Sequence, residues 1–373
     1  VRIFVQSIYY PPRLGGIENH VFNLCVGLAA RGHQVTVAAS RTERDAPALE
    51  RLGNLTVRRT PIPGRHFFGW AANAVLSLPV AIRHGWDAEV LHAHTFQAVL
   101  PLLPVRLLRG TPLVVTLHCS HFLRMVKKPI WRAVFRLLFA PADFFLATSV
   151  ELADAGRRVV PSKPIEEVVN GIDTDLFRPV SPSVPRREGR AVLVATRRFV
   201  PKNGVRYLID ALPAILEKIP GDLYLAGIGP EQRDLEERTA RHGIRECVHF
   251  LGGVANRDLP PLLSSADAVV VPSLVEATSL SALEAMACER PVAASRVGGL
   301  PEIIDETCGT LFRSGDPDDL AEKLVALLRR PREERAAQGA EGRRRVVERW
   351  SLSSFVDRHE ALYRRLREAR HGA

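Results

Sequence analysis

Two successive series of short apolar strands, each strand followed by a helical pattern, constrain this chain more than any other feature. RIFVQSI, HQVTVAAS, AEVLHAH and PLVVTLHC form the first series; AVLVAT, DLYLAGIG, CVHFLGG, ADAVVVPS and RPVAAS form the second. Strands this uniformly apolar are expected to be buried on both faces, as in a parallel sheet covered by helices and connected by right-handed crossovers. At 373 residues the chain is also too long for one comfortable core. The proline-rich, basic stretch 179–190 is the expected linker. The expectation is therefore α/β: two doubly wound domains, 1–182 and 183–353, facing a central cleft in which ligands bind. After Pro331 the chain reads as charged helix, and Phe355, Leu362 and Leu366 are spaced to form one packing stripe.

Composition removes several classes of protein. Hydrophobic residues make up 46% and charged residues 25%, which favours a globular chain over a disordered one. Five scattered cysteines without a CxxC pair argue against a disulfide framework and a zinc site, so a reducing, cytoplasmic setting is expected. No stretch approaches the roughly 18 apolar residues of a membrane span. Before Pro182 there are 21 basic against 13 acidic residues, and after it 30 against 28. The first domain thus holds most of the +10 net charge, which suits an anionic surface or ligand.

VVVPSLVEATSLSALEAMACERPVAAS carries the most chemistry. A strand ends at Pro272 and a helix is expected from about Leu280 to Cys288. Glu276 stands before that helix, where a carboxylate can accept hydrogen bonds from sugar hydroxyls, and Glu284 lies inside it. The N–H groups of Ser279 and Leu280 would face a diphosphate at the positive helix end. This segment, with VGGLPEII after it, resembles the retaining glycosyltransferases of family 4. The resemblance implies the GT-B fold of two Rossmann-like domains, with the C-terminal helix at about 354–373 packing back on the first. It assigns Glu276 to the donor sugar and Glu284 to the nucleotide ribose. The family often has a Gly-Phe-Gly-like turn where this chain has Ala277, Thr278 and Ser279, whose hydroxyls would add donor contacts.

The resemblance covers nearly the whole chain. GGIENHVFNLCVGLAARGHQVTV is similar to the family's acceptor-domain signature, with Gly15 and Gly16 letting backbone approach phosphate. RRFVPKNGVRYLIDAL is similar to the segment that brings an arginine and a lysine to the diphosphate, which implies Arg198. The lysine position falls on Asn203, and Lys202, one residue earlier, is the displaced substitute. LAGIG, with Gly227 and Gly229, resembles the loop approaching the pyrophosphate, and Gly253 and Val254 lie in the segment that would hold the base.

His92 and His94 alternate like a metal pair, yet no third ligand follows at suitable spacing, so neither a metal ion nor a cofactor is expected. His118 matches the family's active-site histidine beside the transferred sugar; His121 is a weaker candidate. Residues 122–139 mix Arg124, Lys127, Lys128, Arg132 and Arg136 with Phe122, Met125, Trp131 and Phe135. That mixture suits either a packed helix with a solvated face or one lying on an anionic membrane at the inner face. No motif supports nucleic-acid binding.

The expected reaction is retaining transfer from a nucleoside-diphosphate sugar, a UDP- or GDP-sugar first, to an acceptor hydroxyl of a glycan, glycolipid or small metabolite. The expected catalytic set is Glu276, Arg198, Lys202 and His118. The alternatives are a nucleotide-sugar epimerase of the same fold and a nucleotide-sugar-binding subunit impaired by Asn203. A dehydrogenase is disfavoured by the lack of a GxGxxG fingerprint.

Overall fold

A computed structural model of the chain describes every residue except 13–15, 42–45, 62–66, 119, 170, 277–278 and 372–373; the side chains of 67, 68, 120 and 371 are also left aside. It has two compact units, Val1–Gly171 with Leu352–Ala373, and Ile172–Ser351.

The first unit contains β1 (Arg2–Ser7), β2 (Gln34–Arg41), β3 (Leu49–Leu52), β4 (Leu55–Pro61), β5 (Val90–His94), β6 (Leu113–Leu117), β7 (Phe144–Ala147) and β8 (Ile165–Glu167). They form one sheet in the order β3-β4-β2-β1-β5-β6-β7-β8. All pairs are parallel except β3 with β4. Every residue of β5, β6 and β7 is buried, which is why their sequences are apolar runs rather than alternations. The Leu352–His371 helix lies against the Gly16–Ala30 helix: Phe355, Val356, Leu362 and Tyr363 join Val21, Leu24, Cys25 and Leu28 in one core. A Cβ at Gly27 would meet Val356 Cγ2 at 2.4 Å, so the two helices are in close contact.

The second unit contains β9 (Ala191–Thr196), β10 (Gly221–Ala226), β11 (Val248–Gly252), β12 (Ala268–Val271), β13 (Val292–Ser295) and β14 (Gly309–Phe312). Their order is β11-β10-β9-β12-β13-β14, parallel throughout. The order reverses direction between β9 and β12, and in the first unit between β1 and β5. In doubly wound sheets ligands bind beyond the carboxyl ends of the strands at such a reversal.

The boundary differs from the expected linker at 179–190. The break falls after Gly171, because the proline-rich stretch is fastened to the second unit. Val180 N–H donates to Ser264 Oγ at 3.2 Å, and Ser183 N–H to Ser265 Oγ at 3.1 Å and to Pro261 O at 3.2 Å.

Candidate functional site

In the second unit the chain leaves β9 into Arg197 and Arg198, and leaves β12 into Pro272, Ser273 and Glu276, so the topological reversal itself brings these residues together. Arg197 is mostly buried. Its Nη2 donates to Ser273 Oγ at 2.6 Å, to Asn203 Oδ1 at 3.1 Å and to the Glu276 carboxylate, while Nη1 reaches Ser279 Oγ at 3.4 Å. Ser273 Oγ also donates to Glu276 at 3.0 Å. The loop bearing Glu276 is held from behind. Ser295 Oγ and Ser314 Oγ donate to Ser273 O at 2.6 and 3.1 Å, and Leu274 N–H donates to Lys202 O at 2.8 Å. Gly204, with φ +65°, lies so close that a Cβ would sit 2.0 Å from Pro272 O.

Ser279 caps the Leu280–Ala287 helix, its hydroxyl accepting from Ala282 N–H at 3.3 Å. It is fully buried, so this hydroxyl is engaged in the cap. Leu280 is half-buried at the helix start, whereas Ala277 and Thr278 lie outside the described residues. Glu284 is buried, and burial pushes its carboxyl up to about 7 against the opposing pull of Arg197.

Arg198 and Lys202 are exposed. Asn203 is buried and used at both ends, accepting from Arg197 and donating from Nδ2 to Arg198 O at 2.7 Å. Gly227 and Gly229 back the Arg197–Phe199 turn; Cβ atoms there would lie 1.9 Å from Arg197 O and 2.2 Å from Phe199 O. Their small size is thus required by backbone packing. Val254 is half-buried in the loop after edge strand β11.

The first unit gathers five buried histidines at the carboxyl ends of β5 and β6: His20, His92, His94, His118 and His359. His94 Nδ1 and His118 Nε2 share a hydrogen bond of 3.1 Å. His20 packs its ring 4.6 Å from that of His118. His92 is held between Tyr363 Oη at 2.6 Å and Thr116 Oγ1 at 2.7 Å. Burial, with the neighbouring rings, lowers the pKa of His92, His94 and His118 well below that of free imidazole and that of His359 to about 3, so these four are neutral. Local spacing offered no third ligand to a His92 and His94 pair; the grouping the fold makes leaves His92 out, and it is nitrogens of His20, His94 and His118 that lie within 4.8 Å of one another. His121 is exposed, edge-on to Trp70. Gly16 opens its helix with open space beside it, and Gly15 lies outside the described residues.

Arg197, His20 and His359 are the residues sequence reasoning missed. For Arg197 a signal existed in its adjacency to Arg198; for the two histidines none did, since they come from distant helices.

Two doubly wound units, the second with a carboxylate at its strand reversal, define the GT-B class of glycosyltransferase. Residues 14–176 match the profile described as Glycosyltransferase Family 4, and residues 190–330 that described as Glycosyl transferases group 1. The GDP-mannose-dependent alpha-(1-6)-phosphatidylinositol monomannoside mannosyltransferase of Mycolicibacterium smegmatis is 30% identical over 400 residues, covering 97% of this chain and 98% of the relative. The phosphatidyl-myo-inositol mannosyltransferase of Mycobacterium leprae is 32% identical over 355 residues, covering 91% and 90%. Among solved structures, sucrose-phosphate synthase of Thermosynechococcus elongatus superposes with a TM-score of 0.84 over 99% of both chains at 24% identity, a likeness of fold. The chain belongs to glycosyltransferase family 4.

Proposed function

We propose that the chain transfers a hexosyl residue from a nucleoside-diphosphate sugar to an acceptor hydroxyl with retention of anomeric configuration. The observation that carries this reading is the position of Glu276 at the β9/β12 reversal, with Arg197 beside it and Glu284 buried on the following helix. Glu276 accepts from donor-sugar hydroxyls and Glu284 from the ribose. The C1–O bond to the β-phosphate breaks with its electron pair going to the phosphate, and the acceptor oxygen bonds to C1 on the same face, its proton passing to the departing phosphate oxygen. Arg198, Lys202 and the N–H groups of Ser279 and Leu280 lie on the segments that border this diphosphate, and Gly229 and Val254 on the loops toward phosphate and base.

Positive side chains and a helix N-terminus can offset the charge of the departing diphosphate, so transfer proceeds without a resident metal ion or cofactor and its rate is unchanged by EDTA. The donor is tested with UDP-, GDP- and ADP-hexoses, since a ligand selective for the folded state raises the melting temperature with concentration. The relative named as GDP-mannose-dependent makes GDP-mannose the first to try. NMR of the product reads the anomer. An inverted product overturns the stereochemistry, and a fully active Glu276→Ala protein overturns the site.

A second observation bears on where the enzyme works. The Pro129–Phe139 helix buries Phe135 and Phe139 yet leaves Ile130, Val134 and Leu137 exposed as another apolar stripe. Beside it runs an apolar groove of about 420 Å³ lined by Trp70, Phe96, Leu100, Leu103, Trp131 and Leu138, among others. Residues 121–139 hold five basic and no acidic side chains. Among the described residues no helix is long and apolar enough to cross a membrane. We propose that this face rests on an anionic bilayer and that the acceptor is a membrane glycolipid, a reading supported by the inositol phospholipids in both relatives' names.

A further inference from the structure

We infer that Arg197 is the cation that meets the donor's β-phosphate beside Glu276, and that Asn203 stands where it does in order to aim it. The inference rests on the donor-site reading above and changes which residue bears the charge. Arg198 and Lys202 turn to solvent, and Lys202 serves the site through its carbonyl, which holds Leu274. Arg197 alone among the three is drawn inward, 9% exposed, with its head against Glu276, Ser273 and the cap of the Leu280–Ala287 helix. Its Nε–H is buried with no acceptor, an unmet donor that an oxygen of a bound anion would satisfy.

Asn203 explains why the charge sits here. Its amide oxygen lies 3.1 Å from Arg197 Nη2 and its amide nitrogen is tied to Arg198 O, so the side chain cannot swing away. A lysine at 203 would bring an ammonium against a buried guanidinium, and like charges at that distance repel strongly in a low-dielectric site. Positions 197 and 203 therefore hold one cation between them, and in this chain it is at 197. In the unliganded protein Glu276 neutralises Arg197. When the donor binds, the Glu276 carboxylate turns to the sugar hydroxyls and the guanidinium to the diphosphate. As the C1–O bond breaks, its electron pair and the growing negative charge settle on the β-phosphate oxygen that Arg197 contacts.

The test moves the charge. Steady-state transfer and donor binding are measured for wild type, Arg197→Gln, Arg197→Lys, Asn203→Lys and the double variant Arg197→Gly with Asn203→Lys, each checked for native circular dichroism. Arg197→Gln is expected to lower kcat by roughly 100-fold or more, in line with loss of a transition-state charge partner. Arg197→Lys should stay within about tenfold of wild type, because it keeps the charge. Asn203→Lys alone should impair the enzyme, and the double variant should recover at least about tenfold over Arg197→Gln. Equal activity of the folded Gln and Lys variants, or a double variant no better than Arg197→Gln, overturns the inference while leaving the donor site intact. A wild-type protein inert toward every nucleotide sugar overturns both.

Discussion

Gly298 approaches Glu276 so closely that a Cβ on the glycine would lie 1.6 Å from the Glu276 carbonyl oxygen, and its φ of +52° is one that side-chain-bearing residues adopt at a cost. The VGGLP turn thus sets the height of the Glu276 backbone above the sheet. Gly298→Ala is expected to lose about 2 kcal/mol or more of stability, from left-handed strain and from displacement of the loop. Donor affinity should fall with it. Urea denaturation and donor titration of the same variant check both, and an alanine variant with wild-type donor affinity would show that the loop position is not set here.

In the role proposed for it, Glu284 should make donor binding depend on pH. Burial raises its carboxyl to about 7, so near neutrality a good part of the protein carries it protonated. In the proposed ribose contact, hydroxyls donate to the ionised form, and binding should therefore take place with release of a proton. The donor's own diphosphate diester does not titrate in this range. The apparent Kd for an intact nucleotide sugar is expected to rise about tenfold from pH 8 to pH 6, following the ionised fraction. Glu284→Gln should bind more weakly at pH 8 and show a flat profile. Isothermal titration in buffers of different ionisation enthalpy reads the released proton directly.

The sequence made the sheets legible where burial was complete. AVLVAT, AVVV in ADAVVVPS and LVVTL are apolar on both faces because helices cover both faces. It failed where strands are short or partly exposed. GTLF of β14 keeps its two middle residues half-exposed, and FFLA of β7 follows an apolar helix without a clear break in pattern. At the site, the two glutamates stood out through their spacing, but the arginine did not. Successive residues leaving a strand point to opposite sides, so of the neighbours Arg197 and Arg198 one turns inward to Glu276 and one is exposed, a difference that composition and spacing do not encode. The histidines show the same limit. His94 and His118 end adjacent strands, whereas His20 and His359 reach them only through tertiary packing of two helices.

That histidine cluster should make the protein sensitive to mild acid. His92, His94, His118 and His359 have folded pKa values lowered chiefly by burial, the last to about 3. Below about 6.5 the unfolded chain binds protons at these positions that the folded chain refuses. Stability is therefore full above that pH and is lost as pH falls toward the folded values, at about 1.4 kcal/mol per unit for each histidine. Glu284 works in the opposite sense, gaining stability as pH falls from about 7 to 4.5, but it is one group against four. The urea midpoint should drop steeply between pH 6.5 and 5, and His359→Gln should shallow the slope. A midpoint constant over that range would mean that the cluster accepts protons while folded.

The Pro129–Phe139 helix yields the last prediction. Leu137 is 79% exposed and makes no contribution to the core on its own helix, which is supplied by Phe135 and Phe139. Leu137→Glu should accordingly leave the melting temperature within about a degree or two, since surface changes of this kind alter stability by less than about 0.5 kcal/mol. On the proposed membrane contact its effect on attachment should be large, because it puts in place of an exposed apolar side chain one that an anionic surface repels. Wild-type protein is expected to sediment with phosphatidylglycerol vesicles at low salt and to be released at high salt, as a contact with an electrostatic share must be. The Leu137→Glu variant and a Lys127→Glu, Lys128→Glu pair should both stay in the supernatant, the first for want of apolar burial and the second for want of charge. Equal sedimentation of all three proteins would assign the exposed stripe to some other partner.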